Sequence, residues 1–197
     1  SLRSLGRIHA GRLRHYAPHV CARYWKVICQ GKFSTMNLKI VKADYNNEKH
    51  AQDIPFLLNE YACDPMGGGS PLSETTMANL SSELSKIPQA FSILIYVDDS
   101  PAALANCFEG FSTFSCKPLV NIHDICVHKK FRGLGLSQKL LEKVESIAKN
   151  LGCCKITLEV LSNNNIAKAA YEKFGFSSYE LDPSAGSAVF WQKALGI

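Results

Sequence analysis

A run of twelve residues, from Val127 through Gln138, most constrains how this chain folds. An apolar, strand-like stretch, Leu119 to Val127, precedes it, and an amphipathic helical pattern follows, with Leu136, Leu140, Leu141, Val144, Ile147, Ala148 and Leu151 at helical spacing. Between them lies a basic turn containing Lys129, Lys130, Arg132, Gly133 and Gly135. A strand, a glycine turn and a helix in that order form an anion site. Free N–H groups of the first helical turn point outward, the helix dipole favours negative charge, and glycine lets the ligand approach the backbone.

The surrounding pattern predicts one mixed α/β sheet. Leu38, Ile40 and Val41 read as a first strand. Asn46 or Asn47 caps a helix reaching about Tyr61, and Ser73 caps a second that ends before Pro88. Strands follow at Phe91 to Val97, Ala102 to Phe114 and Leu119 to Val127, with a turn at Asp98-Asp99-Ser100-Pro101. After the amphipathic helix, stopped by Gly152, come a strand at Cys154 to Leu161, a short helix from Asn164 to Phe174 and a final hairpin, Phe176 to Leu181 and Ala188 to Lys193. No internal repeat is visible.

Charge divides the chain. Residues 1–35 hold seven of the 22 Lys and Arg and no acid; the 15 that remain face 17 Asp and Glu, so residues 36–197 are mildly acidic. The body therefore lacks the basic footprint of a nucleic-acid binder. Three readings of residues 1–35 stand: a basic N-terminal arm, an organellar leader, or residues upstream of a start at Met36. No apolar run approaches the ~18–20 residues of a membrane span. The eight cysteines include no C-x-x-C pair, and several sit in strand-like runs as small hydrophobes. Neither a metal site nor a disulfide framework is expected, and the expected compartment is the reducing cytoplasm.

Two familiar phosphate patterns do not fit. The dinucleotide fingerprint needs a third glycine where this chain has Gln138, and the Walker pattern needs a G-K-[ST] that is absent. The segment R-x-x-G-x-S (Arg132, Gly135, Ser137), after Ile125-Cys126-Val127, instead resembles motif A of the GNAT superfamily, the acyl-CoA-dependent N-acetyltransferases; Ser137 stands where the family has Gly or Ala. Downstream, Asn164, Ala167, Tyr171 and the Gly175-Phe176 ending resemble the family's second motif. The resemblance spans about residues 36–197. It implies a twisted, mostly antiparallel sheet of about seven strands, splayed between the fourth and fifth, flanked by about four helices.

The resemblance also implies roles. Acetyl-CoA is the co-substrate. Backbone N–H groups of Arg132, Gly133, Leu134, Gly135, Leu136 and Ser137 cradle its pyrophosphate. Ile125, Cys126 and Val127 pair with the pantetheine arm, and an N–H near Val127 polarises the thioester carbonyl. Tyr171 protonates the departing thiolate. Asn164 hydrogen-bonds the pantetheine, caps its own helix, or does both. The Arg132 side chain either forms a local salt bridge or touches phosphate. For the base, strand alternation puts Asn121, His123, Ile125 and Val127 on one face and Ile122, Asp124 and Cys126 on the other. His123 is a candidate because paired histidines move the proton in the superfamily's arylalkylamine acetyltransferases, although Asn121 replaces the first of them here. Asp124 is a candidate if a bulge shifts the register.

The acceptor side falls on Tyr61 to Leu72, where Glu60 or Asp64 could pair with an amine and Gly67-Gly68-Gly69 is a lid or a turn, and on Leu181 to Ser187. The expected acceptor is a small-molecule amine, with a protein or peptide amine as the alternative. Two other functions are weighed: a non-catalytic acyl-CoA-binding or regulatory module, and a basic arm that tethers the enzyme to nucleic acid or membrane. A homodimer is an expectation by analogy alone.

Overall fold

Three of the four helices among the described residues start at a side-chain cap. The Asn47 side chain accepts from the His50 N–H, Ser73 from the Thr76 N–H and Asn164 from the Ala167 N–H. A computed structural model describes residues 36–179, 184, 186 and 188–196. The readings of residues 1–35 lie outside the described residues, as do 180–183, 185 and 187 of the expected final hairpin.

The strands are β1 (Leu38–Lys42), β2 (Ala90–Val97), β3 (Ser100–Ser112), β4 (Lys117–Val127) and β5 (Ile156–Leu158). The helices are α1 (Glu48–Ala62), α2 (Glu74–Ser85), α3 (Leu136–Asn150) and α4 (Asn165–Phe174). The strands line up in chain order, antiparallel from β1 to β4, with β5 parallel to β4. Each face of the sheet buries its own core. Leu140, Leu141 and Val144 of α3 pack on Ile93, Ile95, Ala103 and Ile122. Ile54 and Leu57 of α1 and Leu84 of α2 pack on Leu94, Tyr96, Leu104 and Cys126. Burying side chains such as these contributes about 1.5–3 kcal/mol each before the entropy of ordering is subtracted.

Two details of the sheet set up the site. First, β4 pairs with β5 only at Val120, Asn121 and Ile122, then runs on to Val127 paired with β3 alone, its other edge without a strand among the described residues. The two strands therefore stop pairing after Ile122, where the family resemblance implies a splay. Second, the β3–β4 register slips: Asn106 faces Asp124 and Cys107 faces Ile122, which leaves His123 as an extra residue on β4.

That bulge corrects the expected alternation. Ile122, assigned to one face with Asp124 and Cys126, instead packs toward α3 with Ile125 and Val127, while Cys126 packs toward α1. One inserted residue moves everything beyond it to the opposite face.

Five strands appear among the described residues against about seven expected. Residues 176–179 and 188–196 form none, and Val189, Phe190 and Trp191 are exposed. β5 is itself three residues long, against the eight predicted at Cys154 to Leu161, so it offers a hairpin little edge to pair with. No helix among the described residues is long and apolar enough to cross a membrane.

Candidate active site

The open stretch of β4 presents its polar backbone in a defined direction. The His128 N–H donates to the Ala102 carbonyl of β3. Backbone groups alternate sides along an antiparallel strand, so those of Ile125 and Val127 turn the other way, into the gap where β5 has departed. The Val127 carbonyl accepts from Arg132 Nε at 3.2 Å. The N–H groups of Ile125 and Val127 point into the same gap.

The glycine turn follows directly. His128 caps a 3-10 turn, Lys129–Phe131, its Nδ1 accepting from the Lys130 N–H at 3.2 Å. Gly133 has φ +84° and Gly135 φ +73°, and a Cβ on either would meet nothing within 4 Å. Glycine is required at both positions by backbone conformation, not by crowding from the protein. α3 then begins with no side chain capping it, so its first N–H groups face open space above the turn. Gln138 Nε2 donates to the Ala170 carbonyl at 2.9 Å and ties the start of α3 to α4.

Tyr171 lies next to that tie, half-buried against the α3 core with its ring edge on Phe176. Its hydroxyl donates to no described group. Burial, and then the neighbouring Tyr61 and Cys126 groups, push its pKa up to about 12. Tyr61 is also raised, by burial first and then by the Asp124, Cys126 and Asp64 groups. These influences gather Tyr171, Tyr61, Cys126 and Asp124 around one region at the fork.

Other expectations fare differently. The Arg132 guanidinium bonds Asp64 Oδ2 at 2.9 Å, which decides for the local salt bridge in this structure. The Met66 N–H and then Arg132 hold the Asp64 carboxyl below the usual carboxylate range. A lowered folded value means the tie is intact above the unfolded pKa and released only as pH falls through the folded one. Glu60 is engaged as well, with Lys129 Nζ at 3.3 Å and His128 Nε2 at 3.5 Å. Gly67 belongs to a 3-10 turn capped by Asp64, and a Cβ there would collide with the Tyr61 backbone, so this segment is a built turn. The Asn164 side chain is occupied in capping α4. Leu181 to Ser187 falls mostly outside the described residues.

His123 and Asp124 part company at the bulge. The His123 side chain is exposed, edge-on to Phe108. Asp124 is partly covered and accepts from Asn106 Nδ2 at 3.0 Å. A cavity of about 260 Å³ opens further along β4, lined by Glu60, Tyr61, Asp64, Cys126, Val127 and His128 among others, with neither His123 nor Asp124 in its wall.

The gap in the sheet and the uncapped helix start thus form one continuous run of backbone donors. The family comparison agrees: the model of the Acetyltransferase (GNAT) family matches residues 54–176. The chain belongs to the GNAT acetyltransferases. An uncharacterized N-acetyltransferase of Bacillus subtilis (strain 168), YycN, is 28% identical over 60 residues, which are 30% of this chain and 38% of that protein. Among solved structures, an integron cassette protein from V. cholerae superposes with a TM-score of 0.66 at 20% identity, covering 82% of this chain and 94% of its own. Aminoglycoside N-acetyltransferase AAC(6')-Iy, in complex with CoA, gives 0.62 at 18% identity, covering 81% and 97%. At these identities the superpositions speak for the GNAT fold.

The buried cysteines near the fork, Cys107 and Cys126, are not activated as nucleophiles. All six among the described residues are free. Burial and then the Asp124 charge push the Cys126 thiol up to about 12 and Cys107 higher still. A maleimide pulse on the native protein, mapped by mass spectrometry, is expected to label exposed Cys63, Cys116 and Cys154 and to spare Cys107 and Cys126. Rapid labelling of Cys126 would contradict its burial.

Proposed function

We propose that this chain transfers an acetyl group from acetyl-CoA to a primary amine by direct attack in a ternary complex. The observation that carries this reading is the fork itself, where Ile125 and Val127 bare their N–H groups beside an uncapped helix start. The pyrophosphate would rest on the backbone of Arg132 to Ser137, with Arg132 supporting the turn through its carboxylate partner. The pantetheine amides would pair along Ile125 to Val127, and an N–H there would stabilise the oxyanion.

The amine nitrogen attacks the thioester carbon, the C–S bond breaks, and the thiolate takes the Tyr171 proton. A tyrosine raised by burial is fully protonated at neutral pH, the state a proton donor needs. His123 and Asp124 are the candidates to take the ammonium proton before attack. The cavity of about 260 Å³ suits a small amine, and likeness to an aminoglycoside acetyltransferase supports that acceptor class.

Thiol release from acetyl-CoA, measured across a panel of small amines and short peptides, is expected to rise above hydrolysis with at least one small amine. Acetyl-CoA binding without stimulation by any acceptor would instead mark a non-catalytic CoA-binding module.

A further inference from the structure

A file of side chains crosses the α1 face of the sheet and ends on Asp124. The Tyr45 hydroxyl, just beyond β1, lies 3.0 Å from Ser92 Oγ on β2. Ser92 Oγ lies 2.7 Å from Asn106 Oδ1 on β3, and Asn106 Nδ2 lies 3.0 Å from Asp124 Oδ2 on β4. Ser92 and Asn106 are 0% and 4% exposed, on the face that buries Leu94 and Leu104. Polar groups buried this deeply cost free energy unless they are paired, and here each buried side-chain polar atom has a partner among the described residues.

The direction of every bond follows from the inventory of donors. The Asn106 oxygen can only accept, so Ser92 gives it its one proton; Ser92 Oγ must then accept from the Tyr45 O–H. The Asn106 amide is left with its N–H on Asp124. Turning that amide over would set its oxygen against a carboxylate oxygen. The file therefore fixes the orientation of Asp124. One carboxylate oxygen is held, and Oδ1 has no partner among the described residues. The bulge at His123 aims the carboxylate toward α1, just where β4 leaves β5.

Resting on the acetyltransferase reading above, we propose that Asn106, oriented by Ser92 and Tyr45, is a positioning residue that holds Asp124 to take the proton from the acceptor's ammonium. The nitrogen gives one proton to Asp124 and attacks the thioester carbon with the freed pair. On collapse the C–S bond breaks, the nitrogen loses its second proton to water, and the thiolate takes one from Tyr171. Of the other titratable groups facing Asp124, Tyr61 of α1, Cys107 of β3 and Cys126 of β4 are neutral, raised by burial first and by the carboxylate itself. His123 turns to Phe108.

The test compares an alkylamine with the O-alkylhydroxylamine of the same chain, which is already neutral at neutral pH and needs no base before attack. Ser92→Ala and Asn106→Leu are expected to lower kcat for the alkylamine roughly tenfold or more. Turnover of the O-alkylhydroxylamine and KM for acetyl-CoA should hardly move, and Ser92→Thr, which keeps the hydroxyl, should restore the alkylamine rate. Equal losses with both acceptors, or none with either, would overturn the assignment while leaving the acetyltransferase reading intact. A wild-type chain that acetylates neither acceptor, nor any other amine, would remove the reading and the assignment together. If Asn106→Leu does not fold, the Ser92→Ala and Ser92→Thr pair decides alone.

Discussion

Tyr171→Phe is expected to lower kcat about a hundredfold, the low end of what a positioned proton donor contributes, with the Kd for acetyl-CoA essentially unchanged. The expectation depends on which part of the side chain does what. The ring is packed on Phe176 and the α3 core, and phenylalanine keeps that packing. Only the hydroxyl is removed, and it has no hydrogen bond to lose among the described residues, so neither stability nor donor binding should suffer. A leaving thiolate without a proton source raises the barrier for C–S cleavage by about 2.7 kcal/mol for each hundredfold. Single-turnover transfer beside equilibrium binding separates the two effects. Unaltered kcat would remove the donor role, and a loss confined to binding would make Tyr171 part of the pantetheine wall.

Gly135→Val is expected to weaken acetyl-CoA binding at least tenfold. At φ +73° a side chain is strained, by about 1–2 kcal/mol for an ordinary L-residue and more for a β-branched one. The Cβ meets no protein atom, so the chain has two ways out. It keeps the turn and sets the new side chain where the phosphate belongs, or it relaxes the turn and swings the helix N–H groups off target. Both weaken donor binding, and neither touches the core of α3, so the far-ultraviolet spectrum should hold. Titration with CoA by calorimetry reads the effect. Gly135→Ala should fall between wild type and valine, and unaltered affinity in both would show that the turn does not hold the phosphates.

The elements legible in the sequence are those whose signals are local. Asn47, Ser73 and Asn164 cap the helices they were expected to cap, and the apolar periodicity of α3 marks the buried face. The glycine turn was legible because positive φ at Gly133 and Gly135 is written in residue type. The facing of β4 was not, because a bulge is decided by pairing with β3, whose partners Cys107 and Asn106 lie well back in the sequence, and nothing in Ile122-His123-Asp124 announces it. The partner of Arg132 escaped for the same reason: Asp64 is 68 residues distant. The file behind Asp124 did leave a trace. Ser92 and Asn106 interrupt runs otherwise fit for a core, and a polar residue in such a run implies a partner that only the folded sheet can name.

The unpaired stretch of β4 has one further consequence. A bare strand edge ordinarily invites another chain, which is why proteins blunt the outer strands of their sheets. Here the bare edge lies inside the sheet, in a notch closed at one end by the pairing of Ile122 with Leu158. Such a notch is expected to admit a single slender amide chain more readily than a whole strand. Shape thus does the work of selectivity, and the molecule keeps an adhesive edge permanently on offer without becoming a seed for aggregation. Compounds that carry two amides on a thin linker, with no nucleotide attached, are the natural starting point for inhibitors of this site.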